Sequence, residues 1–235
     1  MGEKRIVVAV DGPAGSGKSS VSREAARRLG LRYIDSGAIY RAVTHFLLGR
    51  PGNLEKGKSY AAFLDGLELS QRFGPDGSVH TLVNGEDVSR AIRDELIARN
   101  IGTVSDDPGI RNFVNDLLRS WSRSGSIIMD GRDIGTVVFP DAAVKIFLDA
   151  SAEVRSLRRA AEYREMGKTV DVNEIRNQII RRDQEDTERP FGRLARAEGS
   201  FYIDTSLMDK EEVIKRIIEL IAEVGAPGVV DGRPE

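Results

Sequence analysis

The stretch Gly12-Pro13-Ala14-Gly15-Ser16-Gly17-Lys18-Ser19 constrains the fold of this chain more than any other. It satisfies G-x-x-x-x-G-K-[ST] at every fixed position, and its flanks fit as well. Before it, Arg5-Ile6-Val7-Val8-Ala9-Val10 is a short apolar run rich in β-branched residues, which reads as a buried strand. After it, Ser20 to Leu29 repeats Val21, Ala25 and Leu29 at helical spacing and stops at Gly30. Strand, glycine loop, helix is the context in which such a loop holds phosphate. The glycines let backbone N–H groups close on phosphate oxygens, and the helix adds the positive end of its dipole. Gly12 to Ser20 is therefore the candidate triphosphate-binding segment: Gly12, Pro13, Ala14, Gly15, Ser16, Gly17, Lys18, Ser19 and Ser20. Lys18 is expected at the β- and γ-phosphates and the Ser19 hydroxyl on Mg²⁺. A glycine-rich turn with no ligand is the competing reading, which the strand–helix context disfavours.

Composition narrows the rest. A chain of 235 residues with 40% apolar content supports one substantial core with smaller appended lobes. A net charge of −2 does not point to nucleic acid or an anionic membrane as partner. Cysteine is absent and only His45 and His80 are present, which removes disulfides, thiolate chemistry and a histidine-rich metal site. No apolar run approaches the ~18 residues of a membrane span, and the N-terminus enters the first strand almost at once. A soluble, cytoplasmic protein is the expectation.

Beyond the first helix, Leu31-Arg32-Tyr33-Ile34 is a short apolar segment ending at Asp35-Ser36-Gly37. Ala38 to Leu48 reads as a helix with Ile39, Val43, Phe46 and Leu47 on one face; Arg41 lies off that face, a surface arginine or an anion ligand. Gly49 to Gly57 is a loop. Leu67–Ser70 and Val79–Val83 alternate apolar and polar residues between the turn signals Gly74-Pro75-Asp76-Gly77 and Asn84-Gly85, which predicts a small antiparallel insert. Ser89 to Ser105 is expected as one helix with Ile92, Leu96, Ile97, Ile101 and Val104 on one side. Asp107-Pro108 starts another, whose stripe runs from Ile110 to Trp121 with Arg111 beside it. Buried strands follow at Ser126–Asp130, Ala143–Leu148 and Ser200–Asp204, with a charged turn at Gly131–Gly135 and a final amphipathic helix from Lys210 to Val224. Strands alternating with helices predict a parallel sheet covered on both faces. Residues 225–235 read as a frayed tail. Between Ser151 and Gly199 basic and acidic residues are nearly balanced. There Arg155, Arg158 and Arg159 share one helical face and Arg182, Asp186 and Arg189 another. Both faces read either as solvated ion pairs such as Arg182–Asp186 or as cations for a moving phosphoryl group.

GPAGSGKSS, DSGAIYRAV at Asp35–Val43, NGEDVS at Asn84–Ser89 and DGRDIGTVVFPDA at Asp130–Ala142 resemble the bacterial cytidylate kinase family. So do KIFLDAS at Lys145–Ser151 and RRDQEDTERP at Arg181–Pro190. The DSGA-x-YR and DGRD-x-GT-VFPDA stretches are the specific ones; residues between Gly49 and Gly66 match poorly. The resemblance implies a three-layer P-loop fold in one kinase domain, 1–224. Its core is 1–35, 104–150 and 190–224, its monophosphate-binding lobe 36–103 carries the inserted sheet, and its helical lid is 151–189. It implies Ser36, Arg41, Arg132 and Arg189 at an acceptor phosphate, Arg111 and Asp133 at cytosine, and Arg182 and Asp186 at the sugar. Arg155, Arg158 or Arg159 would meet donor phosphates, and Lys18, Arg132, Arg158, Arg159 and Arg189 would carry catalysis. A serine that helps at the base in some relatives aligns near Gly102, with Thr103 beside it.

The activity so implied is transfer of the γ-phosphoryl group of ATP to CMP or dCMP, by a monomer acting with Mg²⁺ on small molecules, without nucleic acid or membrane. Asp130, ending its strand, is a candidate to hold Mg²⁺ through water or, alternatively, to close a turn. Another small-molecule or nucleoside monophosphate kinase would share loop and lid. A regulatory nucleotide switch would need a guanine-reading element, and the sequence contains no N-K-x-D string.

Overall fold

The computed structural model describes residues 5–74, 77–165 and 167–224. The predicted tail, and Pro75 and Asp76 of the predicted turn, lie outside these residues. In chain order the elements are β1 (Val7–Asp11), α1 (Lys18–Arg28), β2 (Arg32–Asp35), α2 (Ser36–Leu48), β3 (Leu69–Phe73), β4 (Val79–Val83), β5 (Glu86–Asp87), α3 (Glu95–Ser105), α4 (Pro108–Ser122), β6 (Ile127–Gly131), β7 (Val144–Asp149), α5 (Ala152–Glu165), α6 (Val172–Glu188), β8 (Phe201–Asp204) and α7 (Lys210–Glu223). The chain divides into two compact units, Met1–Tyr33 with Gly125–Glu235, and Ile34–Ser124.

The first unit is built on the sheet of order β2-β6-β1-β7-β8. β1 lies at its centre, parallel to both β6 and β7, and β8 continues in parallel beside β7. A strand flanked on both edges and covered on both faces needs apolar side chains throughout, and Val8, Ala9 and Val10 are fully buried. The central position matters because ligands of parallel sheets sit beyond the strands' carboxyl ends, which is where β1 hands the chain to the glycine loop. α1 packs on β6 and α7. α7 opens with a reciprocal Asp209–Glu212 capping box and buries Val213, Ile214, Ile217, Leu220 and Ile221. α5 and α6 form their own small core of Ala160, Ile175 and Ile179, with Tyr163 and Val172 against it.

The second unit holds α2, α3, α4 and the antiparallel sheet β3-β4-β5. The expected Asn84-Gly85 turn joins β4 to β5, with both residues at positive φ, 51° and 85°. The predicted cap of α4 is present: Asp107 accepts from the N–H groups of Gly109 and Ile110, with Pro108 in the first turn. The single helix expected over Ser89–Ser105 is instead two pieces, a short 3₁₀ turn at Ala91–Arg93 and α3. Asp94 is the reason. It is extended (ψ 151°), and its carboxylate accepts from the Leu96 N–H, so the side chain caps a new helix and interrupts the old one. The restart changes the phase of the pattern: Ile92, Ile97 and Val104 are buried, but Leu96 is 55% exposed.

Candidate active site

The loop leaves β1 at Gly12, whose φ is +155°; a Cβ there would stand 2.0 Å from the Leu148 carbonyl oxygen, so only glycine fits. Gly17 ends the loop in the left-handed region, φ 86°, as the N-cap of α1. Several loop carbonyls are tied down. Lys18 Nζ donates to the Pro13 oxygen at 3.1 Å, Arg155 Nη1 to Ala14 at 3.0 Å and Thr205 Oγ1 to Ser16 at 3.4 Å. In a trans peptide the carbonyl and the next N–H point opposite ways. Fixing these carbonyls therefore turns the N–H groups of Ala14, Gly15 and Gly17 away from them, the construction of an anion-binding concavity. The Ser16 hydroxyl is buried and has no hydrogen-bond partner among the described residues, a polar atom that a phosphate oxygen would satisfy.

Ser19, in the first turn of α1, donates from its hydroxyl to Asp130 Oδ2 at 2.6 Å. The Tyr33 hydroxyl donates to Asp130 Oδ1, also at 2.6 Å. Asp130 is 3% exposed. A hydroxyl beside a carboxylate suits Mg²⁺, which prefers oxygen ligands and completes its shell with substrate phosphates and water. The residues fit that ion. Among the described residues no group of three or more His, Cys, Asp or Glu is placed to hold a metal alone.

After β6 the chain makes the turn bearing Arg132 and Asp133. Asp133 is buried and does not cap the π-helical turn Ile134–Val138 that follows it. Asp11 does so from the end of β1: its two oxygens accept the N–H groups of Ile134 and Gly135 at 2.8 and 2.7 Å. Burial pushes the Asp11 carboxyl up to about 7, against the lowering effect of those two bonds. Arg132 donates from Nη1 to the Gly12 carbonyl (3.0 Å) and from Nε to Asp186 Oδ2 (2.8 Å). Arg189 Nη2 meets Asp186 Oδ1 at 2.9 Å. Burial raises the Asp186 carboxyl, but Arg132 and Arg189 outweigh it and hold it below the ordinary value, so the acid is ionised. Arg182 adds to the same field.

The three arginines expected on one face of α5 differ in setting. Arg155 is buried and directed at Ala14, Ala150 and Asp183. Arg158 is half-buried and donates to the Thr205 carbonyl at 2.7 Å. Arg159 is exposed, over the Tyr163 ring and 3.8 Å from Glu162. In the second unit Ser36 is buried at the start of α2, where Asp35 caps the helix through the Ala38 N–H. Arg41, one turn on, is 3.7 Å from Asp35. Arg111 is buried, donates to the Ser105 carbonyl at 3.2 Å and lies over the Tyr40 ring. Thr103 is half-buried on α3.

The structure thus links Lys18, Ser19, Asp130, Arg132, Arg155, Arg158, Asp186 and Arg189 within the first unit, and sets Ser36, Arg41 and Arg111 in the second. Sequence reasoning missed Asp11, Tyr33, Asp183 and Thr205, and also Gln71. The Gln71 amide exchanges two hydrogen bonds with the Asp35 backbone, at 3.0 and 3.2 Å, and so ties the small sheet to the start of α2.

A parallel sheet whose central strand ends in this loop, served by the lysine that closes it and by clustered arginines, defines a P-loop phosphotransferase. The cytidylate kinase family model matches residues 8–223, and the chain belongs to that family. Among curated relatives, the cytidylate kinase of Geobacillus sp. (strain WCH70) is 40% identical over 218 residues, 93% of this chain and 97% of that one. The cytidylate kinase of Exiguobacterium sp. (strain ATCC BAA-1283 / AT1b) is 38% identical over 225 residues, 95% of this chain and 100% of that one. Among solved structures, an uncharacterized protein from Eubacterium ventriosum ATCC 27560 shares the fold, with a TM-score of 0.51 at 12% identity over 93% of this chain and 99% of that one. No helix among the described residues is long and apolar enough to cross a membrane.

Proposed function

We propose that this protein transfers the γ-phosphoryl group of ATP to CMP or dCMP, giving ADP and CDP or dCDP. The observation that carries the reading is Arg132, one guanidinium bonded both to the phosphate loop at Gly12 and to the buried carboxylate of Asp186. That cation joins the donor loop to the charged cluster.

In this reading the loop amides and Lys18 hold the β- and γ-phosphates of ATP. Ser19 and Asp130 hold Mg²⁺, which when bound neutralises charge on those phosphates. Arg158 and Arg159 serve the donor phosphates from the lid, residues 151–189, and Arg155 serves them from behind the loop. Ser36, Arg41, Arg132 and Arg189 take the acceptor phosphate, Arg182 and Asp186 the sugar, and Arg111 and Asp133 the base. The attacking oxygen belongs to a phosphate monoester whose second pKa is ~6, so it is anionic near neutral pH and requires no general base. What the residues supply is in-line positioning and stabilisation of charge on the transferring group. Lid closure excludes water as a competing acceptor. The enzyme so described is a cytoplasmic monomer acting on small molecules.

A coupled ADP-release assay with each nucleoside monophosphate tests the reading. CMP and dCMP should support rapid turnover, UMP much less, AMP and GMP none. Preference for AMP or GMP would overturn the acceptor assignment.

A further inference from the structure

α6 carries two carboxylates three residues apart, Asp183 and Asp186, and each reaches the phosphate loop through an arginine. Asp186 holds Arg132, which donates to the Gly12 carbonyl at 3.0 Å. Asp183 holds Arg155, which donates to the Ala14 carbonyl at 3.0 Å. Residues at i and i+3 share one face of a helix, so a single face of α6 grips the loop at two carbonyls. The first grip uses residues already assigned to the acceptor. The second uses Asp183, which has no role in the account above.

We infer that Asp183 is a positioning residue for the donor phosphates, acting through Arg155 on the Ala14–Gly15 peptide. The Asp183 carboxylate takes both terminal nitrogens of Arg155 side by side, Nη1 at 3.0 Å and Nη2 at 2.5 Å. The Ala150 carbonyl takes Nε at 2.8 Å. These contacts fix the plane of a rigid guanidinium, and the second Nη1 hydrogen then falls on the Ala14 oxygen. Because that peptide is planar and trans, holding its oxygen directs the Gly15 N–H the opposite way. The fit is close: a Cβ on Gly15 would lie 3.3 Å from Arg155 Cβ. The Arg155 side chain is 6% exposed, so its charge needs a partner, and Asp183 supplies it. The loop is therefore not preorganised by its glycines alone; its phosphate-facing geometry depends on the seat of α6.

This inference rests on the reading that the loop binds ATP, and the test separates the two. The dissociation constant of ATP, without CMP, and the KM of each substrate are measured for Asp183→Asn and Arg155→Lys. Both variants keep side-chain bulk but lose the carboxylate–guanidinium fork; Arg155→Lys also keeps the charge beside Asp183. ATP affinity should fall roughly tenfold in each, as for loss of a charge-assisted hydrogen bond, with the KM for CMP unchanged. A variant that loses thermal stability but keeps the parent ATP affinity, or that loses ATP and CMP affinity equally, overturns the positioning role. Lys18→Ala is measured alongside: if it turns over ATP normally, the loop reading fails. If it is inactive while Asp183→Asn and Arg155→Lys bind ATP normally, only the clamp fails.

Discussion

Ser19 Oγ lies 2.6 Å from Asp130 Oδ2 although 111 positions separate them in the chain, and the Tyr33 hydroxyl takes the other oxygen of the same carboxylate. The site proposed for Mg²⁺ is thus assembled from three elements, α1, β2 and β6. Asp130→Asn should raise the Mg²⁺ concentration needed for half-maximal activity about tenfold or more, the usual cost of losing a residue that orients a metal's ligands. Tyr33→Phe, which removes only the hydroxyl, should move it in the same direction by less. A magnesium titration indistinguishable from the parent in Asp130→Asn would leave this carboxylate only the structural role of holding the Ser19 and Tyr33 hydroxyls.

Asp11 gives a pH dependence with a definite sign. Its folded value is raised from 3.8 to about 7, so between those limits the folded protein retains a proton that the unfolded chain has released. Its contribution to stability is full below about pH 4 and is lost as the pH rises through 7. Glu24 and Asp87 are shifted the other way, to about 2; what they contribute is full above their ordinary values and is lost as the pH falls toward 2. Replacing Asp11 with Asn should flatten the fall in Tm between pH 4 and 7. The check is thermal melting across that range; an unchanged slope would mean that Asp11 is ionised throughout.

The frame of the molecule was legible because its signals are local. The loop motif, the Asp107-Pro108 cap and the Asn84-Gly85 turn each act within a few residues, and each stands where the sequence places it. The Ser89–Ser105 helix was misread because Asp94 competes for its own backbone, a choice that apolar periodicity does not register. Much of the site was not legible because its bonds are long-range. Asp11 meets Ile134 across 123 positions, Tyr33 meets Asp130 across 97 and Thr205 meets Ser16 across 189. Arg155, Arg158 and Arg159 look alike on a helical wheel. Only packing separates the buried Arg155 from the exposed Arg159.

The base assignment can be tested by selectivity. Cytosine offers an amino donor at N4 and acceptors at N3 and O2, which suit a carboxylate and a guanidinium; uracil offers the reverse at N3 and position 4. A desolvated site built for one pattern discriminates by roughly 10⁴-fold against the other. Asp133→Ala should narrow the CMP/UMP ratio of kcat/KM chiefly by weakening CMP, with ATP affinity nearly unchanged. Retention of the parent ratio would remove Asp133 from base reading.

Residues 151–189 are proposed as a lid, and α5 and α6 share a small core of Ala160, Ile175 and Ile179. That apolar core is small, so opening is opposed chiefly by the ion pairs of Arg155 with Asp183 and of Arg132 with Asp186. Amide exchange in this segment should be fast in the free protein and slow with a bisubstrate analogue bound. Equal protection in both states would describe a fixed charged face.

The central claim is that phosphate moves from ATP to CMP over Lys18. It is tested most directly by following a radiolabelled γ-phosphate of ATP, with and without CMP, in the parent protein and in Lys18→Ala. The account predicts label in CDP, none released as inorganic phosphate at a comparable rate, and transfer reduced by about 10²-fold or more in the variant, as for loss of a single preorganised charge. Label appearing as inorganic phosphate at the same rate whether or not CMP is present would contradict it, and would make the protein a nucleotide hydrolase or switch.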